Sequence, residues 1–354
     1  MNSSATGRSA DIAAFTGLMR RRAVLKSLAA LGAGALAPGC ASVAPAGGKP
    51  ERIDVHHHFV SPGFAAALKA NGIRTVRWTI QGTLEDMDKS GISKAVLSLP
   101  PPAVGFKDPA LSRKVAREAN EYAATLARDH PGRFGVFATI PYSDTEGSLA
   151  EIEYAFGTLK VDGIGLMTSY AGRYLGDKAF WPVQEELNRR KAVVYTHPNM
   201  PQCCSKIPSG VSLGTIEYAV DTTRTMASLM FDGAAARYPD IRWIFSHSGG
   251  VTPFLLSRFE REEAATKDRQ QKLPNGLMHE LRKFYYEVAQ GNHPGALAAL
   301  VRIAPMSQLL YGTDFPFRDG AEVNAGLAAY GFSPAELSAI NRENALRIMP
   351  GLKT

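Results

Sequence analysis

Three imidazoles stand side by side where a short apolar run ends, in Ile53-Asp54-Val55-His56-His57-His58-Phe59. On a strand, successive side chains alternate between faces, so His56 and His58 share one side and His57 takes the other. Two imidazoles on one face are half of a transition-metal site, and the other donors must come from elsewhere in the chain. Three further runs end in the same way. Val193-Val194-Tyr195-Thr196 stops at His197, followed by Pro198; Ile244-Phe245-Ser246 stops at His247, followed by Ser248, Gly249 and Gly250; Leu310-Tyr311-Gly312-Thr313 stops at Asp314, with Pro316 close behind. Of the eight histidines, only His57, His130, His279 and His293 fall outside this pattern. Taken singly, each residue is better explained by a buried structural His or a helix-capping Asp, a satisfied polar group at a strand end. Five of them in register with strand ends argue for one centre. His56, His58, His197 and Asp314 are the expected ligands of a single metal, with His247 beside them. Imidazole and carboxylate donors suit Zn2+, with Mn2+ or Fe2+ as alternative occupants, and a catalytic ion keeps a position for water or substrate.

Only a particular kind of scaffold brings residues 56 and 314 together. Short runs rich in Val, Ile and aromatic residues recur at 52–56, 94–99, 134–138, 163–167, 192–196, 242–246, 284–288 and 309–312, each followed by a segment of helical character. Helices are predicted over 111–128, 146–159, 181–190, 222–238 and 252–266, the first ending before His130-Pro131-Gly132. Eight strand–helix alternations fit a (β/α)8 TIM barrel, whose catalytic groups come from the C-terminal ends of several strands. An open doubly wound sheet would instead gather its site at one switch point. The stretch 71–82, with Arg74, Arg77 and Trp78, reads as a long connection whose Trp78 is tucked onto the barrel.

The chain has 354 residues, of which 45% are hydrophobic and 21% charged, enough for a large core. Residues 1–44 hold Arg8, Arg20, Arg21, Arg22 and Lys26 against Asp11, a surplus of four that leaves +3 of the formal +7 for the remainder. That residual charge is scattered, which gives no footprint for nucleic acid. The basic, then apolar, then small-residue order of the first segment reads as an export signal with Arg21-Arg22 in the twin-arginine manner, and its apolar run is too short to span a bilayer. Residues 1–50 are therefore expected to be signal and linker, and 51–354 the metal-dependent domain. Ala37-Pro38-Gly39-Cys40 allows a lipid anchor at Cys40, so the expected location is the periplasm, either soluble or as a membrane-anchored lipoprotein. Cys203 and Cys204, adjacent in sequence, have no metal-ligand spacing of their own and receive no role.

On these residues the chain resembles the amidohydrolase superfamily, in the amidohydrolase-related branch similar to aminocarboxymuconate-semialdehyde decarboxylase. The motifs are His56-x-His58, His197-Pro198, His247-x-Gly249-Gly250 and Thr313-Asp314 with Pro316, together with the stretch from Gly163-Ile164-Gly165-Leu166 to Gly172-Arg173-Tyr174-Leu175. The resemblance implies one zinc held by His56, His58, His197 and Asp314, with His247 as the acid/base beside a metal-bound water. Binuclear relatives carry a bridging Lys or Glu after the fourth strand, where this chain has Leu166-Met167-Thr168-Ser169, so one metal is expected. Many aromatic-acid decarboxylases of the branch open with Glu where this chain has His56, which sides it with the muconate-semialdehyde type or with hydrolytic members. Arg258 matches an arginine that, in the muconate-semialdehyde enzymes, reaches a neighbouring subunit's site to bind substrate carboxylate, which implies a homodimer. Its surroundings, Glu260, Arg261, Glu262 and Glu263, equally allow a charged helix face. The implied reaction is loss of CO2 from a small unsaturated or aromatic carboxylic acid. Hydrolysis of a small lactone or amide is the alternative, with His247 and Asp314 handling the proton in both. A non-catalytic exported metal-binding barrel is the third reading.

Overall fold

The computed structural model describes residues 51–201, 203–204, 210–212 and 214–353; the expected signal and linker, with Cys40, lie outside them. Each of the eight predicted runs overlaps a strand: β1 (Arg52–His58), β2 (Ile92–Ser98), β3 (Phe134–Thr139), β4 (Gly163–Met167), β5 (Val193–His197), β6 (Arg242–Phe245), β7 (Tyr285–Glu287) and β8 (Leu309–Leu310). They pair in parallel and in chain order. The ring closes between the first strand and the chain after the last: Val55 N–H donates to Tyr311 O at 3.0 Å, Asp314 N–H to His56 O at 2.8 Å, and His58 N–H to Phe315 O at 2.8 Å. These three bonds bring the opening and closing motifs of the sequence into contact.

Strands buried on both faces are nearly continuously apolar, and the two faces feed two clusters. Ile53, Val55, Val96, Phe137, Val193, Tyr195, Ile244 and Leu310 converge from six strands on the barrel axis, where Ile348, Met349 and Leu352 of the C-terminal segment pack against them. The opposite faces, through Ala95, Leu97, Val136, Ile164, Val194 and Phe245, pack with helix residues such as Val115, Ala119 and Leu229. Each fully buried aliphatic or aromatic side chain contributes roughly 1.5–3 kcal/mol.

Simple alternation would send His57, not His56, to the axis, because Ile53 and Val55 already point there. The register against β2 slips between Asp54 and His57. That irregularity resets the phase, so His56 and His58 face inward and His57 stacks on Phe315, with ring centroids 4.7 Å apart. Asp54 holds the slip in place. Its Oδ1 accepts the N–H groups of His56 and Thr313, both at 3.0 Å, and its Oδ2 accepts His57 Nδ1–H at 2.9 Å and Thr313 Oγ1–H at 2.6 Å. Asp54→Ala is expected to destabilise the metal-free protein by about 3–5 kcal/mol, since it strands buried donors on both sides of the closure. Urea unfolding measures this; a change under about 1 kcal/mol would show that the closure does not depend on Asp54.

Helix boundaries depart from the sequence reading where capping decides them. The connection 71–82 gives way at Ile80 to a helix, Ile80–Ser90, because the Thr79 side chain accepts the Gly82 N–H and Gly91 ends it in the left-handed region. Trp78 does tuck onto the barrel, against Phe59 and Tyr122. The segment expected as one helix over 222–238 is two, Gly214–Phe231 and Ala234–Arg237, broken at Gly233 with φ +88°.

Candidate metal centre

All five strand-end residues meet at the C-terminal mouth of the barrel. His56 Nε2 lies 3.1 Å from His58 Nε2 and 3.0 Å from Asp314 Oδ1, and His58 Nε2 lies 3.1 Å from that same oxygen. His197 Nε2 faces it from 3.9 Å. His247 Nε2 addresses the other carboxylate oxygen, Oδ2, at 3.4 Å, and Gln290 Nε2–H also donates to Oδ2. Ligand atoms of His56, His197, His247 and Asp314 all fall within 4.8 Å of one another. Arg258 is not part of this group. It is exposed on the helix Leu256–Ala265, none of whose residues is buried.

The side chains are oriented as metal ligands are. His56 Nδ1 meets Glu287 Oε1 at 2.9 Å, His58 Nδ1 meets Ser98 O at 3.3 Å, and His197 Nδ1 meets Pro198 O at 2.8 Å. An imidazole that donates Nδ1–H outward turns the Nε2 lone pair inward. His197 Nε2 and Asp314 Oδ1 are buried without a hydrogen-bond partner, an arrangement that is costly unless a cation completes it. The inward atoms of His56, His58 and Asp314, 3.0–3.1 Å apart, have about the spacing of ligands that share one ion at bonds of ~2.0–2.2 Å. The residues present therefore fit a divalent zinc, manganese or iron ion.

The electrostatics call for a positive charge at the same point. Burial opposes a charged His56, yet Asp314 and Glu287 on either side outweigh it and raise its pKa to about 10. Burial lowers the pKa of His58, and that of His197 to about 3. Burial works to raise the Asp314 carboxyl, but the His56 charge and the imidazoles of His197 and His247 that face it hold it well below the usual carboxylate range. The two carboxylates thus favour positive charge on His56, the kind of charge a bound cation would supply at this point.

Backbone strain is concentrated here. His247, Ser248, Gln290 and Asp314 have φ of +55°, +57°, +53° and +67°. Left-handed conformations at such residues cost of order 1–3 kcal/mol each and persist where the surroundings enforce them. The glycines after His247 are part of that enforcement, since a side chain at Gly250 would run into the Ala219 carbonyl.

Sequence reasoning missed Asp54, Glu287 and Gln290. Glu287 carried a signal, being a lone charge inside the apolar run 284–288. Asp54 also stands between apolar residues, whereas Gln290 offers nothing that separates it from a loop residue.

The amidohydrolase family model matches residues 53–350, nearly the whole described chain. The chain belongs to the amidohydrolase family. This amidohydrolase is 35% identical to decarboxylase yanB of Aspergillus niger, over 85% of its own length and 88% of the relative's. It is 34% identical to 6-methylsalicylic acid decarboxylase acuB of Aspergillus aculeatus, over 85% and 97%. Identity to the 2-amino-3-carboxymuconate-6-semialdehyde decarboxylase of Dictyostelium discoideum is 26%, over 76% and 74%. Among solved structures, a dihydroxybenzoic acid decarboxylase from Polaromonas sp. JS666, with bound manganese and the inhibitor 2-nitroresorcinol, superposes with a TM-score of 0.75 at 21% identity, over 86% of this chain and 98% of that one. His56 sides the chain with the muconate-semialdehyde type or with hydrolytic members, and its relatives include both that decarboxylase and the 6-methylsalicylic acid decarboxylase acuB, the latter at higher identity.

Proposed function

We propose that this amidohydrolase is a metal-dependent carboxy-lyase that removes CO2 from a small aromatic carboxylic acid bearing a neighbouring hydroxyl. The observation that carries the reading is the division of Asp314. Its Oδ1 faces His56, His58 and His197, whereas its Oδ2 faces His247 and Gln290. The first set supports His56, His58, His197 and Asp314 as holding one ion, and the second supports His247 as the proton carrier.

When bound, the metal supplies positive charge that fixes the substrate's carboxylate or adjacent oxygen. His247 Nε2–H gives its proton to the ring carbon that bears the carboxylate, and the hydroxyl oxygen feeds electrons into the ring. The carbon–carbon bond then breaks, its electron pair restores the ring, and CO2 leaves. Solvent returns a proton to His247. Asp314 Oδ2 steadies the charged imidazole, and Gln290 fixes that oxygen. Phe317 stands 5.7 Å from the His58 ring and Tyr218 6.0 Å from the His197 ring, aromatic walls that favour a flat substrate. The space that touches His247 and Gln290 is about 160 Å3 and is bordered by Tyr218 and Phe254; a larger cavity of about 860 Å3, walled by Phe106, Tyr142, Tyr170 and Tyr174 with Lys107 and Arg224, lies over the ends of β2 to β5 and includes none of the five site residues.

The likeness to named decarboxylases at 34–35% identity supports this chemistry. Zinc is the proposed ion, and the same donors take manganese, the metal bound in the Polaromonas enzyme, or iron. Export through the Arg21-Arg22 signal to the periplasm, with or without lipid at Cys40, is part of the proposal. So is a homodimer in which Arg258, exposed on a helix with no buried residue, reaches a partner's substrate. The test is product analysis of metal-loaded protein with 2-hydroxybenzoic acids, lactones and amides. Loss of CO2 from the acids is expected; net addition of water to a lactone or amide, with the acids untouched, would replace this reading with hydrolysis.

A further inference from the structure

Glu287 ends β7 fully buried, and among the described residues its one ion-pair partner is His56. Three donors converge on it. Oε1 accepts His56 Nδ1–H at 2.9 Å and the His247 backbone N–H at 2.6 Å, and Oε2 accepts the Ala289 N–H at 2.6 Å. The room a side chain would need at Gly312 is taken up by this carboxylate and by the His56 Cβ, so the chain after β8 packs directly against the pair. A buried carboxylate without Lys or Arg is expensive, and its charge is most simply balanced by the positive centre next door.

Resting on the metal site proposed above, we infer that Glu287 is a positioning residue for both halves of the chemistry. Through Nδ1 it holds His56 in the tautomer whose Nε2 lone pair faces the ion. Through the backbone N–H it pins His247 in the left-handed conformation from which Nε2 reaches Asp314 Oδ2. A carboxylate suits this place because it only accepts, and every group facing it donates. Glutamine would set its own N–H groups against one of those donors and release either the His56 ring or the loop that carries His247.

The test is Zn2+ affinity of the folded, full-length Glu287→Gln protein, measured by competition with a chromophoric chelator, alongside turnover at saturating Zn2+. Affinity is expected to fall by about 10–100-fold, and turnover to stay below the parent's when the site is filled. Glu287→Asp, which keeps an acceptor-only group on a shorter arm, is expected to lose less than Glu287→Gln. If Glu287→Gln does not fold, Glu287→Asp decides alone, with an expected loss of affinity of about tenfold. Zn2+ affinity within threefold of the parent in the folded variant would overturn the inference, because a purely structural carboxylate would lower stability and leave metal binding alone. A parent protein that binds no Zn2+ would instead overturn the metal centre, and the role of Glu287 with it.

Discussion

His247→Ala is expected to keep its metal and lose turnover by about a hundred- to ten-thousand-fold, the range usual for removing a positioned acid or base. The asymmetry follows from Asp314. Its Oδ1 lies 3.0–3.1 Å from the inward nitrogens of His56 and His58, while His247 approaches only Oδ2, at 3.4 Å. Removing His247 leaves the His56, His58, His197 and Oδ1 set intact, so metal content and thermal stability should change little. His58→Ala and His197→Ala are expected to lose metal and activity together. Elemental analysis with steady-state kinetics on the same samples reads both quantities. Metal lost from His247→Ala but retained by His58→Ala would exchange the functions of these two imidazoles.

Asp314→Asn should be more damaging, because one substitution strikes both halves of the site. The amide carries no charge to pair with the ion on one side or with protonated His247 on the other. Its N–H2 must also face either the inward imidazole nitrogens or the Gln290 amide, which already donates to Oδ2. Weaker metal binding combined with a broken proton pair is expected to put turnover about ten-thousand-fold or more below the parent. Saturating metal should recover only a small part, because the His247 partner is still gone. Full recovery on adding metal would confine Asp314 to ligation and remove it from proton transfer.

Much of this site was legible because a barrel enzyme writes its chemistry at strand ends. His56, His58, His197, His247 and Asp314 each interrupt an apolar run just where it must stop, and the structure gathers all five. What pattern reading could not supply was the supporting layer. Asp54 and Glu287 act through hydrogen bonds to residues 259 and 231 positions away, Thr313 and His56, and no local spacing encodes such pairs. The inward turn of His56 was expected for an incomplete reason. Alternation alone would have turned His57 inward, and the irregularity at Asp54 that corrects the phase depends on the Thr313 contacts made when the barrel closes. Helix ends slipped for local reasons, as at Ile80, where the cap is a threonine inside a stretch that reads as loop. Arg258 keeps both of its sequence readings, an exposed helix face and a reach toward a partner, since the chain by itself gives it no substrate to touch.

The central claim is that one divalent ion in this five-residue centre drives loss of CO2, and a metal titration tests it most directly. The protein is stripped with chelator and reloaded stepwise with Zn2+ or Mn2+, and CO2 release from 6-methylsalicylate or a related 2-hydroxybenzoate is followed at each step. The rate is expected to rise in proportion to bound metal and to level off at one ion per chain. Undiminished CO2 release from the stripped protein, or a rate that begins only as a second ion binds, would contradict it.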